Sequence, residues 1–236
     1  MTSTFKILFL WLVAVPEQQK SALKRSKSCK EVNSSQETIA QLMSIDGISW
    51  ESVTLVRRAI EKANSLTMNQ LMQIVRILCN KALEKSSHSR PLAVICLTIN
   101  EKHTETRNHL FIESLINCLR EWFTERDKLR LTSGGARRWT AYVTFISELY
   151  LNMKTRSRTP NPRPLFCGQN DDFDDEYELN PNRVRQNDSI TTSLMIEKQL
   201  KHFSILLFDS MQAILQNPNS TPTEIECLQS VLRSCG

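Results

Sequence analysis

Between Arg137 and Met153 the chain reads RRWTAYVTFISELYLNM, and its apolar residues Tyr142, Val143, Ile146, Leu149, Tyr150 and Met153 recur at steps of three and four. That spacing puts them on one stripe and predicts a core helix. Upstream, Trp50, Val53, Val56, Ile60 and Ala63 form one stripe and Leu71, Ile74, Val75, Leu78 and Ala82 another, with Ser65, Leu66 and Thr67 between them. A helical hairpin from Ser49 to Glu84 follows, with Ser49 as N-cap. Leu92, Ile95 and Ile99, then Leu110, Phe111, Leu115, Cys118, Leu119, Trp122 and Phe123, predict a second hairpin from Arg90 to Arg126. Helix pairs recurring at roughly 40 residues, with no alternating strand pattern, predict an all-α fold, a HEAT-type α-solenoid of antiparallel helix pairs.

The stripe is interrupted twice. Residues 1–38 read as an apolar N-terminal run followed by a basic, serine-rich disordered linker, so the helical-repeat domain is placed at 39–236. Inside it, residues 155–189 hold Pro160, Pro162, Pro164 and Pro181 beside the acidic run Asp171 to Glu178, and are expected to form a disordered insert. Order resumes near Ile190 with Leu194, Leu200, Phe203, Leu207, Phe208, Met211, Ile214 and Leu215, and closes at Asn217-Pro218. A last helix starts from Thr221 as N-cap, with Pro222 in its first turn and Glu224 behind it. Its stripe is Ile225, Leu228, Val231 and Leu232, and no hairpin partner follows. The solenoid is therefore expected to be incomplete at its C-terminus, a shortened form with a wet apolar side and a tendency to self-associate.

Composition adds little to this picture, apart from charge and the N-terminus. Only five glycines occur in 236 residues, against a β fold, and 30 Lys and Arg oppose 25 Asp and Glu, a mild basic bias that permits RNA contact without demanding it. Seven cysteines without CxxC spacing fit small buried hydrophobes in a reducing compartment. The run ILFLWLVAV behind Lys6 has the length of a signal-peptide core but is too short to span a bilayer. Two locations follow. The chain is cytoplasmic, and also nuclear if Lys24-Arg25-Ser26-Lys27-Ser28 acts as an import patch, or it is secretory, in which case the sequons at Asn33, Asn187 and Asn219 would matter.

No GxSxG, P-loop, GxGxxG or HExxH occurs, so neither an enzyme nor a cofactor is expected, and no small-molecule substrate. His103 and His109 lie near Glu101, Glu105 and Glu113, but three convergent ligands are not evident and no metal site is assigned. The candidate contact residues are Lys128, Arg130, Arg137 and Arg138, in the basic stretch RDKLRLTSGGARR that enters the central helix through Gly134-Gly135. Cations on a loosened loop meet a phosphate backbone or an acidic protein without fixed geometry; ordinary solvated charge is the plainer alternative.

The segment Arg138-Trp139-Thr140-Ala141-Tyr142-Val143-Thr144-Phe145-Ile146-Ser147-Glu148-Leu149-Tyr150, with Leu119 to Arg126 before it and Glu226-Cys227-Leu228-Gln229 near the end, resembles the middle domain of eukaryotic translation initiation factor 4 gamma (MIF4G-type HEAT domain). It is most similar to the adaptor branch that includes the cap-binding-complex-dependent translation initiation factor, the poly(A)-binding-protein-interacting protein and the stem-loop-binding-protein interactor. The resemblance covers residues 40–236 without the insert. It implies a non-catalytic adaptor in translation initiation or mRNA regulation. Its implied partners are mRNA, bound weakly and without sequence preference, and proteins such as an RNA helicase, the cap-binding complex, poly(A)-binding protein or stem-loop-binding protein. A secreted or endoplasmic-reticulum helical protein, or a helical-repeat interaction module of unrelated role, is the alternative. The apolar run at the N-terminus has no place in the family, and the insert after Met153 is longer than its usual connection.

Overall fold

The computed structural model describes residues 28–62, 65–105, 109–132, 134–158 and 181–235, with the side chains of 28–34, 105, 158 and 181–192 left out. Among them the chain forms α1 (Ser28–Met43), α2 (Trp50–Glu61), α3 (Met68–Glu84), a 3-10 turn (Ser86–His88), α4 (Ser89–Glu105), α5 (Leu110–Thr124), α6 (Arg126–Leu131), α7 (Gly135–Arg158), α8 (Pro181–Gln216) and α9 (Pro222–Cys235). No strand occurs among the described residues, and the all-α solenoid expected from the stripes is the observed fold.

Local chemistry starts the helices where the sequence says it should. Ser49 Oγ accepts the Ser52 amide at 3.2 Å and caps α2. Thr67 and Gln70 form a reciprocal capping box on α3, a signature that the reading of Ser65 to Thr67 as a plain link passes over. Between α1 and α2, Gly47 adopts φ 71°, the left-handed turn that Asp46-Gly47 announces.

The helices stack in two rows. α2, α4, α7 and α9 pack in one, α3, α5 and α8 in the other, and each pair joins the rows. α7 sits where they meet, touching α3, α4, α6, α8 and α9. This explains its composition: Trp139, Tyr142, Val143, Ile146 and Leu149 are 0% exposed, and beyond Arg138 no residue through Tyr150 is exposed. A helix buried on all sides needs apolar residues around its whole circumference, and each large one contributes about 1.5–3 kcal/mol.

The expected boundaries shift at three places. α1 begins at Ser28, well inside the linker placed at residues up to 38; Ile39 and Leu42 at its far end, and Ile45 just beyond it, are buried against the domain, and helix propagates back from that anchor. The insert expected at 155–189 is narrower, because α7 runs to Arg158 and α8 starts at Pro181; its first turns carry no apolar stripe and so imitate a linker. Residues 159–180, including the acidic run, and the apolar run at 5–15 lie outside the described residues. Third, the basic stretch after Arg126 is not a loose loop but the short helix α6, with Asp127 in its first turn, Lys128 and Arg130 in its last, and Leu129 packed on the core.

Two stripe assignments also change. Trp50 is 64% exposed: as the first residue of α2 it lies beyond the neighbouring helices, and the Arg57 guanidinium stands 5.9 Å from its ring. On α9, Leu228 and Val231 are each 4% exposed and Leu232 is half-buried, leaving Ile225 as the outlying member, so the wet side is narrower than expected.

Candidate interaction surface

The basic corner is built by a turn that only glycine permits. Gly134 has φ 76°, and a Cβ on Gly135 would overlap the carbonyl oxygens of Leu129 and Arg130. The Gly135 amide donates to Thr132 O at 2.8 Å and Thr132 Oγ1 to Leu129 O at 2.7 Å, so α6 doubles back tightly onto the first turn of α7. What reads as flexibility in Gly134-Gly135 is close approach.

The four candidate cations part company here. Lys128 is exposed and reaches Glu125 at 3.4 Å, an open surface pair of the kind that contributes little. Arg137 and Arg138 are exposed, and no carboxylate pairs with them among the described residues. Arg130 is withdrawn from the surface. Its Nε donates to Glu224 Oε1 at 2.9 Å with side-chain exposures of 14% and 2%, and its guanidinium lies 5.0 Å over the Trp139 ring. Placed in the contact set by sequence, Arg130 is instead a structural tie between α6 and α9, because its guanidinium is lowered onto an aromatic face and paired with a buried carboxylate.

Glu224 is held by more than this arginine. It accepts the Thr221 amide at 2.8 Å and the Thr221 hydroxyl at 3.1 Å, while its own amide donates to Thr221 Oγ1 at 3.3 Å. The capping box foreseen at the start of α9 therefore also closes the ion pair. Beneath it, Trp139 stacks on Tyr142 at 5.1 Å and meets Phe123 at 6.3 Å, Arg126 covers Phe123 at 4.8 Å, and the Tyr142 hydroxyl donates to Leu119 O at 2.7 Å. Of the motif residues that carried the family resemblance, Trp139, Tyr142, Phe145, Ile146 and Leu149 are packing residues.

His103 is fully buried and stacked on Phe111, and burial holds its pKa below the ordinary value. Among the described residues no three His, Cys, Asp or Glu converge on a metal-sized space, and no helix is long and apolar enough to cross a membrane. The arrangement can present cations and apolar side chains to another macromolecule.

Residues 51–159, from α2 to α7, match the model of the MIF4G domain. MIF4G domains are interaction modules for protein and RNA, and are generally non-catalytic. α8 and α9 lie beyond the match and extend the two rows. Comparison with curated proteins and with solved structures gave no match.

Proposed function

We propose that the chain is a non-catalytic adaptor of translation initiation or mRNA regulation, holding mRNA and a messenger-ribonucleoprotein or initiation protein on one helical scaffold in the cytoplasm. The observation that carries this reading is the match of residues 51–159 to the MIF4G domain. Lys128, Arg137 and Arg138 supply the RNA contact. Arg137 and Arg138 support it by their cost: both stand in the first turn of α7, where a cation opposes the helix dipole by about 0.3–1 kcal/mol, so local stability does not explain them. The RNA affinity is weak and indifferent to sequence, since flexible cations read phosphate and not base edges.

The protein partner belongs to the set formed by an RNA helicase, the cap-binding complex, poly(A)-binding protein and stem-loop-binding protein. Pairwise biolayer interferometry of the full chain against each purified partner and against a single-stranded oligouridine tests the reading. Micromolar or tighter binding to one partner, together with salt-sensitive RNA binding, is expected. Binding to none of the proteins and no RNA would remove it.

A further inference from the structure

α5 and α8 enclose an open groove of about 230 Å³. That is below the ~300–1,000 Å³ of small-molecule pockets and suits an anchoring side chain with its neighbour. Its floor is apolar, formed by Ile112 and Ile116 from α5, at 1% and 5% exposure, and by Met195 from α8. Its rim is charged unevenly. Glu113 stands towards the start of α5, whereas Arg120 on α5 and Lys198 on α8 contribute cations that pair with no carboxylate among the described residues. Arg120 Nη2 donates to His202 Nδ1 at 2.8 Å, which makes the imidazole a neutral acceptor and orients the guanidinium without neutralising it. Burial, then the charges of Arg120, Lys198 and Lys201, lower the His202 pKa. On the same wall His109 carries a buried Nδ1 with no hydrogen-bond partner among the described residues.

We propose that this groove docks a short acidic peptide segment of a partner protein, with one apolar side chain seated on Ile112, Ile116 and Met195 and a neighbouring carboxylate held by Arg120 and Lys198. The inference rests on the adaptor reading for the existence of a protein partner. Charge complementarity selects the occupant: two unpaired cations at one end ask for an anion there, and Glu113 fixes the direction by repelling a second one at the other end. RNA suits the groove less well, because a phosphate chain along it would meet Glu113 and no Phe, Tyr or Trp ring lines it for base stacking.

Panning the immobilised full chain against a random-peptide display library should enrich sequences in which a leucine, methionine or phenylalanine adjoins Asp or Glu. A fluorescent copy of the enriched peptide should lose about tenfold or more in affinity on Arg120→Glu and on Lys198→Glu, and should bind more tightly to Glu113→Gln. Lys198 is exposed, so Lys198→Glu keeps the test valid should Arg120→Glu disturb the fold. Enrichment without carboxylates, unchanged affinity in Lys198→Glu, or competition by oligouridine that both reversals abolish would each overturn the proposal. The two readings fail separately. A chain that binds the peptide but leaves the output of a tethered reporter messenger unchanged loses the adaptor role and keeps the groove; the opposite result does the reverse.

Discussion

Arg130→Ala strands a carboxylate that is 2% exposed, and the size of the loss follows from what Glu224 retains. Removing one partner of a buried pair costs about 3–5 kcal/mol, because the remaining charge stays desolvated. Two features place this pair at the lower end. Glu224 keeps the Thr221 amide and hydroxyl, and Arg130 Nη2 is buried with no hydrogen-bond partner, so the pair is imperfect even when intact. The guanidinium over Trp139 adds about 1 kcal/mol that also disappears. A total near 4 kcal/mol is a large share of a domain stability of about 5–15 kcal/mol, and for this size corresponds to a melting shift of roughly 8–16 °C. Glu224→Ala should cost less than Arg130→Ala, because Arg130 retains 14% exposure and the Trp139 face. Urea unfolding of the two single variants and the double should give a coupling energy of about 2 kcal/mol. Additive losses within about 0.5 kcal/mol would mean that the pair acts as an ordinary surface pair, and the tie between α6 and α9 would have to be abandoned.

Gly135→Ala should destabilise by about 2 kcal/mol or more in thermal melts, since the new methyl meets backbone carbonyls of Leu129 and Arg130 that have little room to yield; a loss under about 0.5 kcal/mol would refute the close approach. Leu228→Ala should cost about 2–4 kcal/mol by urea unfolding, because the side chain is packed, and a neutral result would return the α9 stripe to solvent. Stability should fall as pH drops below the ordinary histidine value of about 6.5: buried His103, with a lowered folded-state pKa, stays neutral while the unfolded chain takes up the proton. His103→Phe should flatten that dependence between about pH 5 and 7, and an unchanged slope would exclude His103 as its source. Replacing Lys128, Arg137 and Arg138 by Glu should abolish oligouridine binding, whose log affinity should follow log salt with a slope of about −2 before the change. The same reversal at Arg137 and Arg138 should raise the melting point slightly by favouring the helix dipole, which separates loss of contact from loss of fold.

The helices were legible because burial writes itself as a three-four stripe, most plainly in α7, where the core presses from every side. Caps at Ser49 and Thr221 were legible for the same local reason: the donor and acceptor lie three residues apart. The start of α8 was not, because charged turns without an apolar face look the same in a helix and in a linker. Trp50 misled because the stripe gives a face but not how far along it a neighbour reaches. The contact set lost Arg130 for a longer-range reason. Its partner is 94 residues away, and nothing at Glu224 beyond its capping position announced it. The groove between α5 and α8 was likewise unreadable, since each wall is an ordinary amphipathic helix until the two are stacked.

The central claim, that a MIF4G-type scaffold acts on messenger RNA without chemistry of its own, is tested most directly by tethering the full chain to a reporter messenger through a fused RNA-hairpin-binding peptide. Reporter protein and reporter mRNA are then measured together. The account predicts a change in protein made per messenger that is reduced in the Lys128, Arg137 and Arg138 to Glu variant or in Lys198→Glu. An unchanged yield per messenger, with the tethered chain folded and expressed, would contradict it.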